Sequence, residues 1–317
     1  MRSDLSTVPF DALGVLRARG PDTLSFLQGQ LSNDLTRLGA DRSLLAGYHN
    51  PQGRVIALLR VLQLAPGDLL AVLPRELVPT VIARLSKFVL RAKVKLVDES
   101  QAWRISGLLA GAAEDAGVSA VHPAAVGNLP AALPAALDSV AHGADAVAVR
   151  VARQPSRWLL LTSASGAPLP DAGVAAPAEI WQRVAIAAGE PQVFAATSEE
   201  FVAQMLNLDA VGAIAFDKGC YTGQEVIARA HYRGRVKRRM QRFVASVPQA
   251  LKPGDAGTLT DGRGFKVVDA VQRPDGRCEF LAVAPLIEDE SAPAISATSS
   301  GERLAAETLP LPYPLPS

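Results

Sequence analysis

The chain has 317 residues, is 49% hydrophobic and carries a net charge of +1 from 32 basic and 31 acidic side chains. At roughly 100–200 residues per domain this predicts two or three domains with real cores, and the balanced charge excludes a global demand for a polyanionic partner. With no run near the ~18 apolar residues of a membrane helix and no apolar signal core in Met1–Pro9, the expected setting is cytoplasmic, with no membrane partner. Cys220 and Cys278 are the only cysteines, which excludes a disulfide framework, a Cys-x-x-Cys centre and a self-contained Cys₄ cluster.

In chain order, Leu13–Arg19 reads as a strand ending at Gly20-Pro21, and Asp22 is placed to cap a short helix through Leu27. Leu44–His49 and Arg54–Leu64 read as a hairpin about Asn50-Pro51-Gln52-Gly53, whose residues have turn chemistry. Leu69–Leu73 is a short apolar strand. In Glu76–Leu90 the residues Leu77, Val78, Val81, Ile82, Leu85, Phe88 and Val89 recur at helical spacing, and Lys93–Val97 alternates as a strand. Leu109–Asp145 is rich in Ala, Gly and Pro, and its elements are not placed. Val147–Val151 and Trp158–Thr162 suggest a strand pair, and Pro177–Ala188 a helix ended by Gly189. After Arg239 short strands alternate with turns at Lys252–Asp255, Asp261-Gly262 and Pro274–Gly276, suggesting a small barrel or sandwich. Beyond about Glu288 the chain reads as a loosely held tail, with four prolines in its last nine residues.

The densest chemistry lies in Asp217-Lys218-Gly219-Cys220-Tyr221-Thr222-Gly223-Gln224-Glu225. Ala213–Phe216 reads as a short buried strand before it, and Gly219 permits a φ-positive turn. Thr222 with Glu225 forms a capping box that opens a helix through about Ala230. A helix N-terminus beside this loop suits an anionic ligand or a thiolate. Read without a ligand, Glu225 caps its own helix and Cys220 is a buried thiol, whereas Lys218 beside a buried strand needs a charge partner or a solvent-lined cavity. His49, His122 and His142 are scattered, so no metal site is expected.

Lys218-Gly219-Cys220-Tyr221-Thr222-Gly223-Gln224-Glu225 resembles the K-G-C-[FY]-x-G-Q-E signature of the YgfZ family. Val226–Arg238, Leu206–Asp209, Phe26–Asp34, Asn50–Arg54 and Phe88–Val94 resemble further blocks of that family, covering about residues 10–285. The resemblance implies an α+β fold: a three-domain aminomethyltransferase (T-protein)-like ring with mixed α/β N-terminal domains and a C-terminal β-barrel. Residues 1–45 plus 105–238 would be a discontinuous folate-binding domain, 46–104 an inserted α+β domain, 239–287 the small barrel and 288–317 the tail. The implied cofactor is tetrahydrofolate or a one-carbon-loaded folate. The implied role is that of an accessory protein for iron–sulfur cluster assembly or repair, supporting enzymes such as those that methylthiolate tRNA. Its partners would be iron–sulfur client proteins or assembly factors.

Carried over residue by residue, Lys218 and Cys220 are the candidate reactive pair. Trp181, Asn33, Asp34, Lys218, Tyr221, Gln224, Glu225 and Arg229 are candidate folate contacts. Trp181 equally suits a core position, and Asp34 a turn or cap. At a helix N-terminus Cys220 would be a nucleophile able to hold iron, sulfide or a client disulfide.

Two departures from the aminomethyltransferase count against aminomethyl transfer, which needs a positioned acid or base. The turn Asn50–Gly53 lacks a carboxylate, and Ala187 in Ile186-Ala187-Ala188-Gly189 stands in an acidic place. Two alternatives remain: a tetrahydrofolate-dependent one-carbon transferase, and a tRNA-binding module. The latter would use Arg229, Arg233, Arg235, Lys237, Arg238, Arg239 and Arg242, with His231 and Tyr232 interleaved. That run reads first as a solvated helix end and barrel strand, or as a rim for folate's glutamate tail.

Overall fold

Two periodicities, alternation in the strands and a 3.6-residue repeat in a few short helices, account for most of the computed structural model. It describes residues 5–110, 130, 132–152, 154–166, 174–234, 236–287 and 303–316. The strands are β1 (Leu5–Pro9), β2 (Leu13–Arg19), β3 (Leu44–His49), β4 (Val55–Ala65), β5 (Asp68–Pro74), β6 (Lys95–Asp98), β7 (Trp103–Ala110), β8 (Val140–His142), β9 (Ala146–Ala152), β10 (Arg157–Ser163), β11 (Val174–Ala175), β12 (Arg238–Ala245), β13 (Ala256–Thr258), β14 (Gly264–Gln272), β15 (Cys278–Pro285) and β16 (Ala306–Leu309). The α-helices are α1 (Thr23–Gln28), α2 (Val78–Ser86), α3 (Ala178–Ala187) and α4 (Gln224–Tyr232). The unplaced stretch after Leu109 falls largely on 111–129, outside the described residues. No described helix is long and apolar enough to cross a membrane.

Contacts divide the chain into two units, each discontinuous: Met1–Ala46 with Leu59–Trp181, and Gly47–Leu58 with Gln182–Ser317. The breaks expected from the family resemblance lay at 45/46, 104/105 and 238/239. The contact division turns on the tip of the first hairpin, which belongs to the second unit.

The first unit holds a six-stranded sheet, β11-β1-β7-β10-β9-β8, and, apart from that hairpin tip, a five-stranded sheet, β3-β4-β5-β2-β6. Alternation sorts the side chains between two cores. Val147, Val149, Leu159 and Leu161 pack with Val15, Leu62, Leu70 and Val72 of the second sheet. Their strand neighbours Ala146, Ala148, Trp158 and Leu160 join Leu5, Leu108 and Leu133 on the other face. Each fully buried Val or Leu contributes about 1.5–3 kcal/mol, so a one-residue slip of β9 or β10 would exchange the two sets.

The clearest sequence helix is shorter than its periodicity. A single turn at Arg75–Leu77 leads into α2, which buries Val78, Val81 and Leu85. Phe88 is 51% exposed and Leu90 86% exposed. After Ser86 the N–H groups of Lys87, Phe88 and Val89 bond three residues back instead of four. That tighter winding rotates the apolar stripe off the core. Asp22 does not cap α1; its carboxylate accepts the Lys93 N–H at 2.7 Å.

In the second unit the sheet runs β13-β14-β15-β12-β16. Its core holds Phe243, Phe265, Phe280 and buried Cys278, with the Phe243 and Phe280 rings stacked at 5.4 Å. Among the described residues the sheet does not close into the expected barrel: β13 and β16 stand at its two edges. A single bridge, Leu259 to Leu304, approaches closure just before β16. The expected loose tail is corrected over its described part: β16 pairs antiparallel with β12 from Arg242–Leu309 to Ala245–Ala306.

Asp269 is 6% exposed at a register slip in β14. Its Oδ1 accepts from Gln182 Nε2 at 2.7 Å and from the Ala270 N–H at 2.9 Å. Burial pushes its carboxyl up to about 6, against those two hydrogen bonds. The unfolded chain releases this proton near 3.8 and the folded chain near 6, so stability falls as pH rises across that window and stays lower above it. Asp269→Asn keeps an oxygen for both donors and removes the charge. It is expected to raise stability at pH 8 by up to about 3 kcal/mol and to have little effect near pH 4, measured by urea unfolding at both pH values.

Candidate functional site

The signature loop is hung from two anchors in the second unit. Before it, Asn207 adopts a left-handed conformation at φ +56° and donates from Nδ2 to the Met240 carbonyl of β12 at 2.9 Å. Two residues on, Asp209 takes a two-pronged ion pair from Arg239 at 3.0 Å on each arm. After the loop, Gln204 Nε2 donates to the Ile227 carbonyl of α4 at 2.7 Å. Residues 213–215 are buried as expected but form no strand.

Within the loop the side chains divide by burial. Lys218 and Tyr221 are 9% and 7% exposed, whereas Cys220 is exposed. The Lys218 ammonium lies 4.9 Å from the centre of the Tyr221 ring, a cation–π contact that shelters the lysine's charge. Burial raises the Tyr221 phenol to about 12, so it remains a neutral donor. Cys220 precedes the first residue of α4 by four positions, outside the turn over which a helix dipole acts. The expected capping box does not form: no side chain caps α4, and its N-cap is Gly223 at φ +84°. The φ-positive residue of the loop is thus Gly223; Gly219 does not adopt positive φ.

Gly223 is required because the loop rests on the first hairpin turn. A Cβ there would lie 2.5 Å from the Asn50 carbonyl oxygen and 3.1 Å from Gly53 Cα. The turn is held by Asn50, whose Oδ1 accepts the N–H groups of Gln52 and Arg54, both at 3.0 Å. Segment 199–202 clasps the same turn, with the Val55 N–H bonded to the Phe201 carbonyl and the Glu199 N–H to the Val55 carbonyl, both at 2.8 Å. Arg54 Nη1 donates to the Glu200 carbonyl at 2.6 Å.

Two residues of this assembly escaped sequence reasoning. Glu199, at φ +63°, brings a carboxylate to a turn that has none of its own, and Oε1 accepts from Asn50 Nδ2 at 2.9 Å. No motif marks it; the pairing of 199–202 with the hairpin is what delivers it. His49 is wholly buried under Tyr221, their ring centres 6.3 Å apart. Neither ring nitrogen closes a full hydrogen bond. Burial pushes its imidazole from the ordinary 6.5 to about 3, opposed by the backbone of Gly47. The unfolded chain therefore binds a proton near 6.5 that the folded chain refuses until about 3, so stability is complete above 6.5 and is lost as pH falls through that window. His49→Leu should flatten this loss, so that urea midpoints of wild type fall faster than those of the variant across the upper part of the window.

The other candidates are placed as follows. Gln224 and exposed Glu225 and Arg229 lie on α4 beside the loop. Trp181, Asn33 and Asp34 belong to the first unit. The Trp181 ring is partly buried against the core, edge-on to Phe10 at 5.1 Å and under the Arg157 guanidinium at 5.0 Å. Asn33 is 5% exposed and donates to the Leu45 carbonyl at 2.7 Å. Asp34 accepts from the Thr36 hydroxyl at 2.7 Å and from Gln28 Nε2 at 2.9 Å. The Thr36 hydroxyl bond, foremost, holds its carboxyl below the usual range. The Asn33 side chain thus bonds β3, and that of Asp34 bonds its own turn.

The basic run also divides. Arg239 is paired with Asp209 inside the fold, and Arg242 with Glu279. Arg229 and Arg233 remain exposed on α4 and its C-cap. Arg235 lies outside the described residues. Among the described residues, no group of three His, Cys, Asp or Glu side chains gathers as metal ligands.

No family model matches the sequence. The chain is 30% identical over 305 residues to the tRNA-modifying protein YgfZ of Pectobacterium carotovorum subsp. carotovorum (strain PC1), covering 93% of this chain and 87% of that protein. It is 29% identical over 319 residues to the protein of that name from Sodalis glossinidius (strain morsitans), covering 98% and 93%. The glycine cleavage system aminomethyltransferase T from Bartonella henselae superposes with a TM-score of 0.58 at 12% identity, over 90% of this chain and 79% of that one. The fold is thus that of aminomethyltransferase T, with sheets dominating over helices, and the chain belongs to the YgfZ family.

Proposed function

We propose that this protein is a cytoplasmic folate-binding accessory factor that supports the assembly or repair of iron–sulfur clusters in enzymes that modify tRNA. The observation that carries this reading is the seating of loop 218–225 on the first hairpin turn, with Lys218 and Tyr221 buried and Cys220 exposed. Such an arrangement holds a ligand-binding loop rigidly and leaves one thiol open to a client. Family membership and the aminomethyltransferase fold support folate as the ligand, in tetrahydrofolate or one-carbon-loaded form. Lys218, Tyr221, Gln224, Glu225 and Arg229, all of the second unit, are its candidate contacts. The three-domain division belongs to the same proposal.

A one-carbon transferase is the second reading, and one observation favours it. Glu199 supplies at the hairpin turn a carboxylate that the turn itself lacks. That oxygen already holds Asn50, which makes Glu199 a positioning group for the turn in the first reading and an acid or base only in the second.

Calorimetric titration with tetrahydrofolate under reducing conditions tests the first reading. Wild type should bind, Lys218→Ala should bind at least about tenfold more weakly, consistent with loss of a charged hydrogen-bonding group, and Cys220→Ala should bind as wild type does. Absence of binding by wild type would discard folate as the ligand. Turnover of an aminomethyl donor that is lost in Glu199→Gln would move the assignment to the transferase.

A further inference from the structure

We propose that the C-terminal end of α4 docks an unpaired RNA segment, with one base stacked on Tyr232 and the flanking phosphates held by Arg229 and Arg233. Arg229 and Tyr232 share one helix face through i+3 spacing, and Arg233 follows them as the C-cap. With Ala228 they line an open depression of about 550 Å³. Tyr232 is 67% exposed, an unusual display of a large ring on a polar helix, whose buried face is held by Ile227.

The ring is not loose. Phe216 and His231 stack at 3.7 Å with 14° between their planes, and Tyr232 stands edge-on to both, at 6.2 and 4.7 Å. An aromatic held in this way is a stacking platform, and base–aromatic stacking tolerates any sequence. Both guanidiniums are exposed, and among the described residues neither pairs with a carboxylate. Their charge is therefore available to phosphates. Exposed Glu225, four residues before Arg229, bounds the basic face toward the signature loop.

An acidic peptide-like chain, such as a polyglutamate tail, would use the two arginines but gains nothing from Tyr232. The combination of an exposed platform and flanking unpaired cations favours a nucleotide chain. The proposal shares Arg229 with the candidate folate contacts, but it does not require folate to bind at loop 218–225.

The test is fluorescence anisotropy of a labelled, unstructured RNA of about 12 nucleotides with the full chain, between about 50 and 200 mM salt. Tyr232→Ala should weaken binding about fivefold or more, the loss of one stacked base, and Tyr232→Phe should retain it. Arg229→Ala with Arg233→Ala should lower the salt slope by about 1.4, at about 0.7 per phosphate on a single strand. All these side chains are exposed, so thermal unfolding of the variants should match wild type. Absence of RNA binding at low salt overturns the proposal. So does RNA binding that Tyr232→Ala leaves unchanged, which would reduce the surface to non-specific charge. Pentaglutamyl folate that depends on both arginines, in a protein that binds no RNA, would assign the surface to an acidic tail instead.

Discussion

Gly223→Ala is expected to destabilise the protein by about 2–4 kcal/mol and to abolish ligand binding at the signature loop. Two costs combine. A side chain at φ +84° is left-handed, which costs about 1–2 kcal/mol for a residue with a Cβ. That Cβ would also meet the Asn50 carbonyl oxygen at 2.5 Å and His49 Cβ at 3.2 Å. The nearest of these groups is backbone, so relief requires the loop to lift from the hairpin turn, uncovering Tyr221 and the histidine beneath it. Gly219→Ala is the control. It lies four residues away in the same loop, and a Cβ there meets nothing within 4 Å, so its effect on stability should stay within about 0.5 kcal/mol. Urea unfolding together with tetrahydrofolate titration on both variants checks the pair. Equal behaviour of the two would mean that the loop is not held against the turn.

Asp209→Ala should cost about 3–5 kcal/mol, the usual result of leaving one member of a buried ion pair without its partner. The Arg239 and Asp209 side chains are 2% and 3% exposed. The guanidinium also donates to the Gln204 carbonyl and to the Pro316 carbonyl, both at 3.2 Å. The pair therefore ties β12, the segment before the signature loop and the C-terminal end of the chain to one point. Tyr313 adds a second tie: its hydroxyl donates to the Gly189 carbonyl at 2.6 Å. Replacing both partners, Asp209→Leu with Arg239→Met, should recover much of the loss, because apolar groups of similar volume need no desolvated charge. Recovery would show in the urea midpoint. A double variant as unstable as Asp209→Ala would assign the cost to packing rather than to the stranded charge.

The chemistry of the loop and of the hairpin turn could be read directly from the chain, because both are local. Asn50–Gly53 carries its own turn chemistry, and Lys218–Glu225 is contiguous. The strands beside them were legible for the same reason, since alternation is written into neighbouring residues. What escaped was non-local or depended on backbone geometry. Glu199 reaches the turn only through pairing of 199–202 with 54–55. His49 gave no local sign that its ring would be buried under Tyr221, 172 positions away in the numbering. Thr222 and Glu225 have capping spacing, yet contact with the hairpin demanded a left-handed residue there, and Gly223 became the cap.

By itself, then, the sequence determined the family, most of the strands and the position of the signature loop, because alternation and contiguous motifs are properties of short segments. The tertiary structure alone decided which loop glycine takes positive φ, which arginines are buried and which are displayed, and that Ala306–Leu309 pairs as a strand with β12. Each of these depends on a partner distant in sequence, and the free energy of pairing with that partner overrides the local preference of the segment.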